Sequence, residues 1–264
     1  PNVSKPFIRG LGFNRILTLF DGVRQEGQQW GDEHGVEVDQ YAVDKVEIIK
    51  GPASLTYGSD ALAGVVNLIP VQTAAEGKMI GDVTAEYQAN NKYFGGTAML
   101  GSTKNGFEWM GRISHKQATN YQNKYDGRVY GTAFNETDVN GSVGIHRNWS
   151  YSHLNFVLYD NSQEIPDGSR DSASRRFTMQ ITEADTIRPI VADAELSSYV
   201  IERIHQRVQH YRVYWNNNFI LGNGRLDVNL GYQRSVRREF SHPVLYTIPG
   251  LYLQLNSYTY DIKY

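Results

Sequence analysis

The residues best suited to ligand or metal chemistry are concentrated in one polar loop near the start of the chain. The segment from Arg24 to Val38 holds three glycines and fits neither a strand nor a helix, so it is predicted to be a loop. A histidine beside carboxylates can ligate a metal, but a single histidine with adjacent acids lacks the spacing of a metal site. Ligand contact and hydrogen bonding to the rest of the fold both stay open. The candidate ligand-contacting residues are Arg24, Gln29, Trp30, Asp32 and His34.

Later segments offer a second group of candidates and a set of histidines. A long connection at about 118–137 carries Tyr121, Tyr125 and Tyr130, which could stack on a chelate or sugar ring or belong to an aromatic girdle. Another, at about 163–205, is rich in charge and is predicted to be an external lid or mobile surface. The histidines at positions 146, 153, 205 and 210 do not form pairs by spacing, so we expect solvated or girdle side chains.

Catalytic and nucleotide-binding patterns are absent from the sequence. There is no G-x-S-x-G nucleophile motif, no G-x-x-x-x-G-K-[ST] phosphate loop and no G-x-G-x-x-G fingerprint. Paired carboxylates occur in loops, but nothing in the sequence fixes their spacing. We therefore predict that the protein is not an enzyme, with no cofactor and no firm metal site.

Composition limits the partners. The 264 residues carry a net charge of -2, which gives no basic footprint for nucleic acid. There is no cysteine, so disulfide frameworks and thiolate metal sites are excluded. A mean hydropathy of -0.49 is compatible both with a soluble domain and with a β-barrel that faces lipid on one side and water on the other. The 18 tyrosines and four tryptophans suit aromatic girdles or a soluble all-β domain.

The stretch from Val46 to Pro70 organises the first part of the chain. Alternating apolar residues end at Gly51-Pro52, a short segment follows, and a second apolar run begins after Gly64. This order predicts a strand, a tight turn, a small helical turn and a second strand. Before it, Leu17 to Val23 is predicted to be a half-buried strand that closes on an Asp-Gly turn.

The same stretch resembles the plug-domain signature of TonB-dependent outer-membrane receptors, I-E-V-x-R-G-P-x-x-x-x-Y-G-x-x-A-x-x-G-V-I-N-I. Lys50 stands where arginine is usual, which keeps the positive charge but not the forked geometry of guanidinium. The residues that match the signature are Val46, Glu47, Gly51, Pro52, Tyr57, Gly58, Ala61, Gly64, Val65 and Asn67. The resemblance also implies ion pairs between plug and barrel wall that hold the gate shut, with Arg9, Lys45, Glu47 and Lys50 as the charged candidates.

From Met79 onward the sequence has the pattern of transmembrane β-strands. About eight segments of roughly ten residues alternate in polarity, with turn residues between them. Apart from a short first connection, short turns alternate with long loops, as in an up-and-down barrel. The residues predicted to face lipid include Phe94, Leu100, Val143, Phe156 and Val228.

The predicted fold is an α+β plug domain in residues 1–77 followed by antiparallel transmembrane β-barrel strands in residues 78–264. Eight strands would enclose only their own side chains, whereas receptors of the resembled type have about 22 strands. We therefore interpret the chain as a fragment, and expect the coupling segment for the energy-transducing protein to lie upstream of residue 1.

The resemblance implies active uptake of a scarce nutrient across the outer membrane of a Gram-negative bacterium. The expected ligand is a ferric siderophore or another metal chelate, with haem or cobalamin as alternatives. The expected partners are outer-membrane lipid and a TonB-type energy-transducing protein. Two other classes stay open: a signalling or adhesion barrel, and a soluble all-β carbohydrate-binding or hydrolytic domain.

Overall fold

The computed structural model describes residues 6–27 and 35–264. Within them, the N-terminal unit, which we define as the chain before Met79, forms a small mixed sheet with the strand order β2-β1-β4-β3. Strand β1 pairs parallel with β4, while β2 and β3 pair antiparallel with their neighbours. The strands of this small sheet are β1 (Ile16–Phe20), β2 (Val23–Arg24), β3 (Val43–Ile49) and β4 (Gly64–Pro70).

The signature stretch folds as its sequence predicts. Strand β3 ends at Ile49, a 3₁₀ turn spans Gly51–Tyr57 with Pro52 in its first turn, and β4 begins at Gly64. The Asp21-Gly22 turn between β1 and β2 has positive φ at both residues, 54° and 73°, which suits an Asp-Gly pair. The described helical content of the N-terminal unit consists of 3₁₀ turns.

The second unit is an eight-stranded antiparallel sheet, which we call the wall sheet. Its order is β14-β13-β12-β11-β10-β7-β6-β5, so each strand pairs with the next long strand along the chain. The connections at 105–106, 148–149 and 222–223 are short, and those at 119–133, 165–204 and 241–250 are long. The predicted sorting of loops by length is therefore confirmed. The strands are β5 (Met79–Gln88), β6 (Tyr93–Lys104), β7 (Phe107–Ala118), β10 (Phe134–Arg147), β11 (Ser150–Glu164), β12 (His205–Leu221), β13 (Gly224–Phe240) and β14 (Leu251–Lys263).

Two small elements lie in the long connections. A two-stranded hairpin of β8 (Gln122–Asn123) and β9 (Gly127–Arg128) belongs to the loop before β10, and the short helix α1 (Asp193–Leu196) to the loop before β12. No helix in the described ranges is long and apolar enough to cross a membrane.

The two faces of the wall sheet differ in polarity. Phe94, Leu100, Val143 and Phe156 are 41–47% exposed and lie on one face, which we call outward. Val228 is half-buried and lies on the same face, directly opposite Asn217. The inward face carries polar and charged side chains at alternate positions and contacts the N-terminal unit. The predicted facing of the strands is thus observed.

The N-terminal unit packs on the inward face through one apolar cluster. Phe20, Val23 and Ala42 are buried against Tyr214 of β12, and Leu68 of β4 packs on the same cluster. A second cluster, around Leu17 and Val65, lies within the small sheet itself. The signature strands therefore lie on the inward side of the wall sheet.

Gly64 at the start of β4 has no room for a side chain. Its φ is +147°, and a Cβ atom there would lie 2.7 Å from the carbonyl oxygen of Ile49 on β3. We expect Gly64→Ala to destabilise the small sheet by about 1–3 kcal/mol, because a strained backbone and a backbone clash combine. Faster hydrogen exchange of β3 and β4 amides would measure this. Gly111→Ala, where the added Cβ meets nothing within 4 Å, is the matched control and should leave exchange unchanged.

Candidate functional site between the N-terminal unit and the wall sheet

The turn from β1 to β2 is bound to the wall by buried polar groups of β12 and β13. Arg212 donates to the side-chain oxygen of Gln25 at 2.6 Å and to the carbonyl oxygen of Phe20 at 3.1 Å. Its guanidinium also lies over the Phe20 ring, 4.8 Å from the centroid. From β13, the Gln233 amide donates to the Arg24 carbonyl oxygen at 2.7 Å. These bonds join backbone and side-chain groups of the turn directly to the wall sheet.

Glu37 is the centre of the first buried charge cluster. Its carboxylate accepts from Arg237 at 3.2 Å and from the hydroxyl of Ser235 at 3.1 Å, and lies 2.8 Å from Nδ1 of His210. Arg237 and His210 are each 1% exposed, and Glu37 is 5% exposed. Because burial removes water from all three groups, each depends on the others for hydrogen bonds and charge balance.

Lys116 is the centre of the second cluster, which joins the N-terminal unit to β7 and β10. Its ammonium lies 3.0 Å from Asp39, contacts Glu136, and lies 3.3 Å from Asp138. Asp39 also accepts a hydrogen bond from Ser114 at 2.7 Å. The three carboxylates offer oxygen atoms within 4.8 Å of one another, a spacing that suits a hard cation. In this protein the Lys116 ammonium lies beside the three carboxylates and provides the positive charge that a bound cation would otherwise provide.

A third contact fixes the passage from the small sheet to the wall. Thr73 donates to Glu108 at 2.5 Å, and Glu108 lies 2.5 Å from Nε2 of His153. His153 is 6% exposed and His210 is 1% exposed, so the prediction of solvated or girdle histidines is wrong at both positions. These two positions fall in the inward phase of their strands, where His210 contacts Glu37 of the N-terminal unit and His153 contacts Glu108 of β7.

A cavity of about 630 Å³ lies between the N-terminal unit and the inward face. Its size falls within the range of small-molecule sites. Glu37, Lys116, Glu136 and Arg237 contribute to its lining together with apolar groups of the small sheet such as Leu68. The cavity therefore combines apolar area with the charged groups of both clusters.

The long loops on one side of the wall sheet contact one another. Arg170 of the 165–204 loop forms an ion pair of 2.7 Å with Asp126 of the neighbouring loop. Arg188 pairs with Asp167 and Asp185, each at 2.7 Å. Such contacts would let the loops move together over the site. The lid role of this loop stays a prediction.

A smaller cavity of about 170 Å³ lies among these loops. Burial raises the pKa of the Tyr130 hydroxyl, and the nearby carboxylates of Glu202 and Glu164 act in the same direction. Burial, followed by the charge of Glu195, also raises the pKa of the Glu202 carboxyl. Tyr130 is thus held neutral in an acidic pocket, whereas Tyr121 and Tyr125 are 43% and 92% exposed.

The ligand-contacting candidates of the first polar loop divide into two groups. Gln29, Trp30, Asp32 and His34 lie outside the described residues. Arg24 is described, and its guanidinium pairs with Glu26 at 2.8 Å and with Asp60. Its side chain joins the turn after β1 to the segment before β4, so its ion pairs are within the N-terminal unit.

The charged gating candidates lie away from the wall contacts. Lys45 is exposed and Glu47 is half-buried, and the two pair with each other at 2.7 Å on β3. Lys50 is exposed just before the 3₁₀ turn, and Arg9 lies in a turn with a φ of 52°. Their gating role stays a prediction, whereas the ion pairs that join the two units in the described ranges involve Glu37 and Asp39.

The remaining signature residues shape the N-terminal unit. Gly51 and Gly58 have positive φ, Pro52 begins the 3₁₀ turn, and Tyr57 is 41% exposed. Asn67 accepts a hydrogen bond from the Gly22 amide at 3.2 Å, which ties β4 to the Asp-Gly turn.

His210 is a sequence candidate, although with a different expected role, and no motif marks the other residues that join the two units. These others are Glu37, Asp39, Lys116, Glu136, Asp138, Arg212 and Arg237. A signal was present on the wall side, because charged residues in the inward phase of an amphipathic strand need partners. The partner of each one depends on contacts between distant segments.

Comparison with known proteins agrees with this geometry. Residues 1–65 match the family model described as TonB-dependent Receptor Plug Domain. Over 75 residues, 28% of this chain, the sequence is 40% identical to the vitamin B12 transporter BtuB of Vibrio vulnificus (strain CMCP6). The chain spans only 12% of the length of that relative.

Solved structures of receptors share the fold over nearly the whole chain. The siderophore receptor PirA of Acinetobacter baumannii matches with a TM-score of 0.64 at 17% identity, covering 97% of this chain and 37% of that protein. A variant of the ferric enterobactin receptor PfeA of Pseudomonas aeruginosa, in complex with enterobactin, matches with a TM-score of 0.61 at 15% identity. This match covers 97% of this chain and 39% of that protein. The FrpB iron transporter of Neisseria meningitidis matches with a TM-score of 0.62 at 16% identity, and the match covers 88% of this chain and 35% of that protein.

The matched plug, its position on the inward face of an amphipathic antiparallel sheet, and the shared fold lead to one assignment: the chain carries the plug domain of a TonB-dependent receptor, followed by wall strands that share the fold of TonB-dependent receptor barrels.

Proposed function

We propose that the chain is part of an outer-membrane receptor that takes up a scarce nutrient actively in a Gram-negative bacterium. The favoured cargo is a ferric siderophore or another metal chelate, with haem or cobalamin as alternatives. Support comes from relatives named as siderophore, ferric enterobactin and vitamin B12 proteins. The plug would comprise residues 1–77 and the wall residues 78–264.

One observation carries the proposal. The plug is held on the polar face of the wall sheet by buried ion pairs of Glu37 and Asp39, while the opposite face of the same sheet is apolar and exposed. A soluble all-β domain would bury its apolar faces against each other. A gate inside a lipid-facing wall needs the reverse, with polar contacts inside and apolar side chains outside.

Polar contacts between plug and wall also suit a gate that must move. Hydrogen bonds and ion pairs lost between two protein surfaces can be replaced by bonds to water as the plug shifts, so their net strength is modest. An apolar interface without water would lose its hydrophobic stabilisation when the plug shifts, because water does not replace apolar contacts. The proposed cycle has the ligand bind between the outer loops and the plug, after which a TonB-type protein pulls on the plug from the periplasm and loosens these contacts.

Growth assays test the proposed function. The full-length receptor that contains this chain is expressed in a Gram-negative strain without its own outer-membrane iron receptors, and single ferric chelates serve as the iron source. At least one chelate should restore growth, and deletion of the TonB-type protein should abolish that rescue. A parallel strain that needs cobalamin tests the alternative cargo.

The assay also has outcomes against the proposal. Growth on no chelate, haem or cobalamin, with the receptor present in the outer-membrane fraction, would contradict uptake and favour a signalling or adhesion barrel. Recovery of the receptor in the soluble fraction without detergent would contradict the membrane placement itself.

A further inference from the structure

Three arginines lie on the outward face of the wall sheet toward its long-loop end, two of them directly opposite each other and the third four residues away along β13. Arg207 is on β12, and Arg234 and Arg238 are on β13. The pairing register places Arg207 directly opposite Arg238, and Arg234 directly opposite Tyr211, which is 40% exposed on the outward face. We call Arg207, Arg234 and Arg238 the basic tier.

The neighbouring carboxylates neutralise only part of the positive charge of the basic tier. Arg207 forms a two-pronged contact with Asp160, at 2.9 and 2.7 Å. Arg234 and Arg238 donate to amide oxygens instead, of Gln254 at 3.1 Å and Gln209 at 2.8 Å, and the described ranges give neither a salt bridge. Three guanidinium groups and one carboxylate leave a local charge of +2. Like charges directly opposite each other on neighbouring strands are unfavourable without an anion between them.

The basic tier also lies at a defined height on the lipid-facing surface. Below it, toward the short turns, the outward side chains of β13 are Tyr232, Leu230, Val228 and Leu226. Eight residues separate Leu226 from Arg234, which is about 27 Å along an antiparallel strand at 3.4 Å per residue. With a strand tilt of about 40°, this length spans roughly 20 Å of membrane, close to the height of the apolar band of an outer-membrane barrel.

An aromatic layer separates the arginines from the apolar band. Tyr232 packs on Tyr258 of β14 with ring centroids 5.1 Å apart, and Tyr211 lies on the neighbouring strand. Tyrosine collects where lipid tails meet headgroups. The basic tier therefore lies at headgroup level, on the long-loop side of the membrane.

We propose that the basic tier binds the phosphate of a phosphorylated lipid headgroup in the outer leaflet. The guanidinium fork pairs with phosphate through two parallel charge-assisted hydrogen bonds, which lysine cannot reproduce. Arg238 lies 5.5 Å from the Tyr252 ring, a contact that holds its guanidinium beside the sheet rather than in free solvent. This inference rests on the proposed membrane placement of the wall sheet and assigns a lipid site to it.

The test uses the full-length receptor in neutral detergent, freed of lipid and titrated with a glycolipid that carries two phosphates. Native mass spectrometry measures the bound fraction. The double variant R234Q/R238Q should weaken binding about tenfold or more, since it removes charge-assisted hydrogen bonds. The same glycolipid without phosphates should bind weakly to both proteins, with no difference between them.

Two further variants complete the experiment, one as a control and one with an expected effect in the opposite direction. R225Q removes an exposed arginine at the short-turn end of β13 and should change binding less than twofold. D160N raises the local charge from +2 to +3 and should strengthen binding, so an effect in the opposite direction supports the site even if R234Q/R238Q folds poorly.

Three results would overturn the lipid site: equal binding by R234Q/R238Q and the unaltered receptor, equal binding of the glycolipid without phosphates, or displacement by equimolar inorganic phosphate. Because binding is measured in micelles, these results do not depend on growth rescue. A receptor that transports but shows none of the expected differences would refute the lipid site alone.

Discussion

A receptor that carries Glu37→Leu should lose about 3–5 kcal/mol of the free energy that holds the plug on the wall, because it removes the carboxylate that pairs with the buried Arg237 and His210. Arg237 is 1% exposed and cannot discharge by losing a proton in the accessible pH range. Its hydrogen bond with Gln206, at 2.7 Å, supplies a dipole but no opposite charge. His210 loses its carboxylate partner at the same time.

Hydrogen–deuterium exchange of the full-length receptor measures this loss through the amides of β1 and β3. Glu47→Leu is the matched control, since it removes the same carboxylate from an exposed pair on the plug surface and should leave exchange nearly unchanged. The double variant E37L/R237M should recover part of the lost protection, because an apolar pair can replace a buried ion pair. Equal exchange in the Glu37→Leu and Glu47→Leu receptors would contradict the role of this cluster.

Much of the wall sheet could be predicted because its two faces differ in polarity, so that polar and apolar residues alternate along each strand. Leu100 and Phe156 lie outward and Arg112 and Arg212 inward, as the period of two along each strand requires. The signature stretch was equally informative. Gly64 leaves room for the backbone of Ile49, and the strand before it and the strand after it form as predicted.

The contacts that hold the plug in place could not be predicted from local pattern. Glu37 and its partners His210 and Arg237 are separated by 173 and 200 residues. The period of a strand assigns His210 to a face, but its partner depends on where the plug sits against that face. Histidines are polar enough to suit either solvent or a buried ion pair, which is why His153 and His210 were assigned to the wrong environment.

Lys116→Met is expected to have the largest effect of the substitutions in the wall. It removes the cation that lies among Asp39, Glu136 and Asp138, and leaves three carboxylates within 4.8 Å of one another. Asp138 is 0% exposed, so water cannot replace the lost ammonium without opening the interface. The expected cost is at least the 3–5 kcal/mol typical of a broken buried pair, measured as a lower midpoint of thermal unfolding or faster exchange in β7 and β10.

The Lys116 cluster can also be tested by restoring its charge in two independent ways. Adding D138N to Lys116→Met removes one of the three neighbouring carboxyl groups and should recover part of the stability, because ionised carboxylates at this distance repel strongly when buried. Millimolar Ca²⁺ should stabilise Lys116→Met more than the unaltered receptor, since carboxylate oxygens are the ligands that this ion prefers. Lys45→Met, at an exposed pair of the plug, is the control and should respond to neither change. If Lys116→Met were as stable as Lys45→Met, the three carboxylates would not need their ammonium, and Asp39 would not join plug to wall through charge.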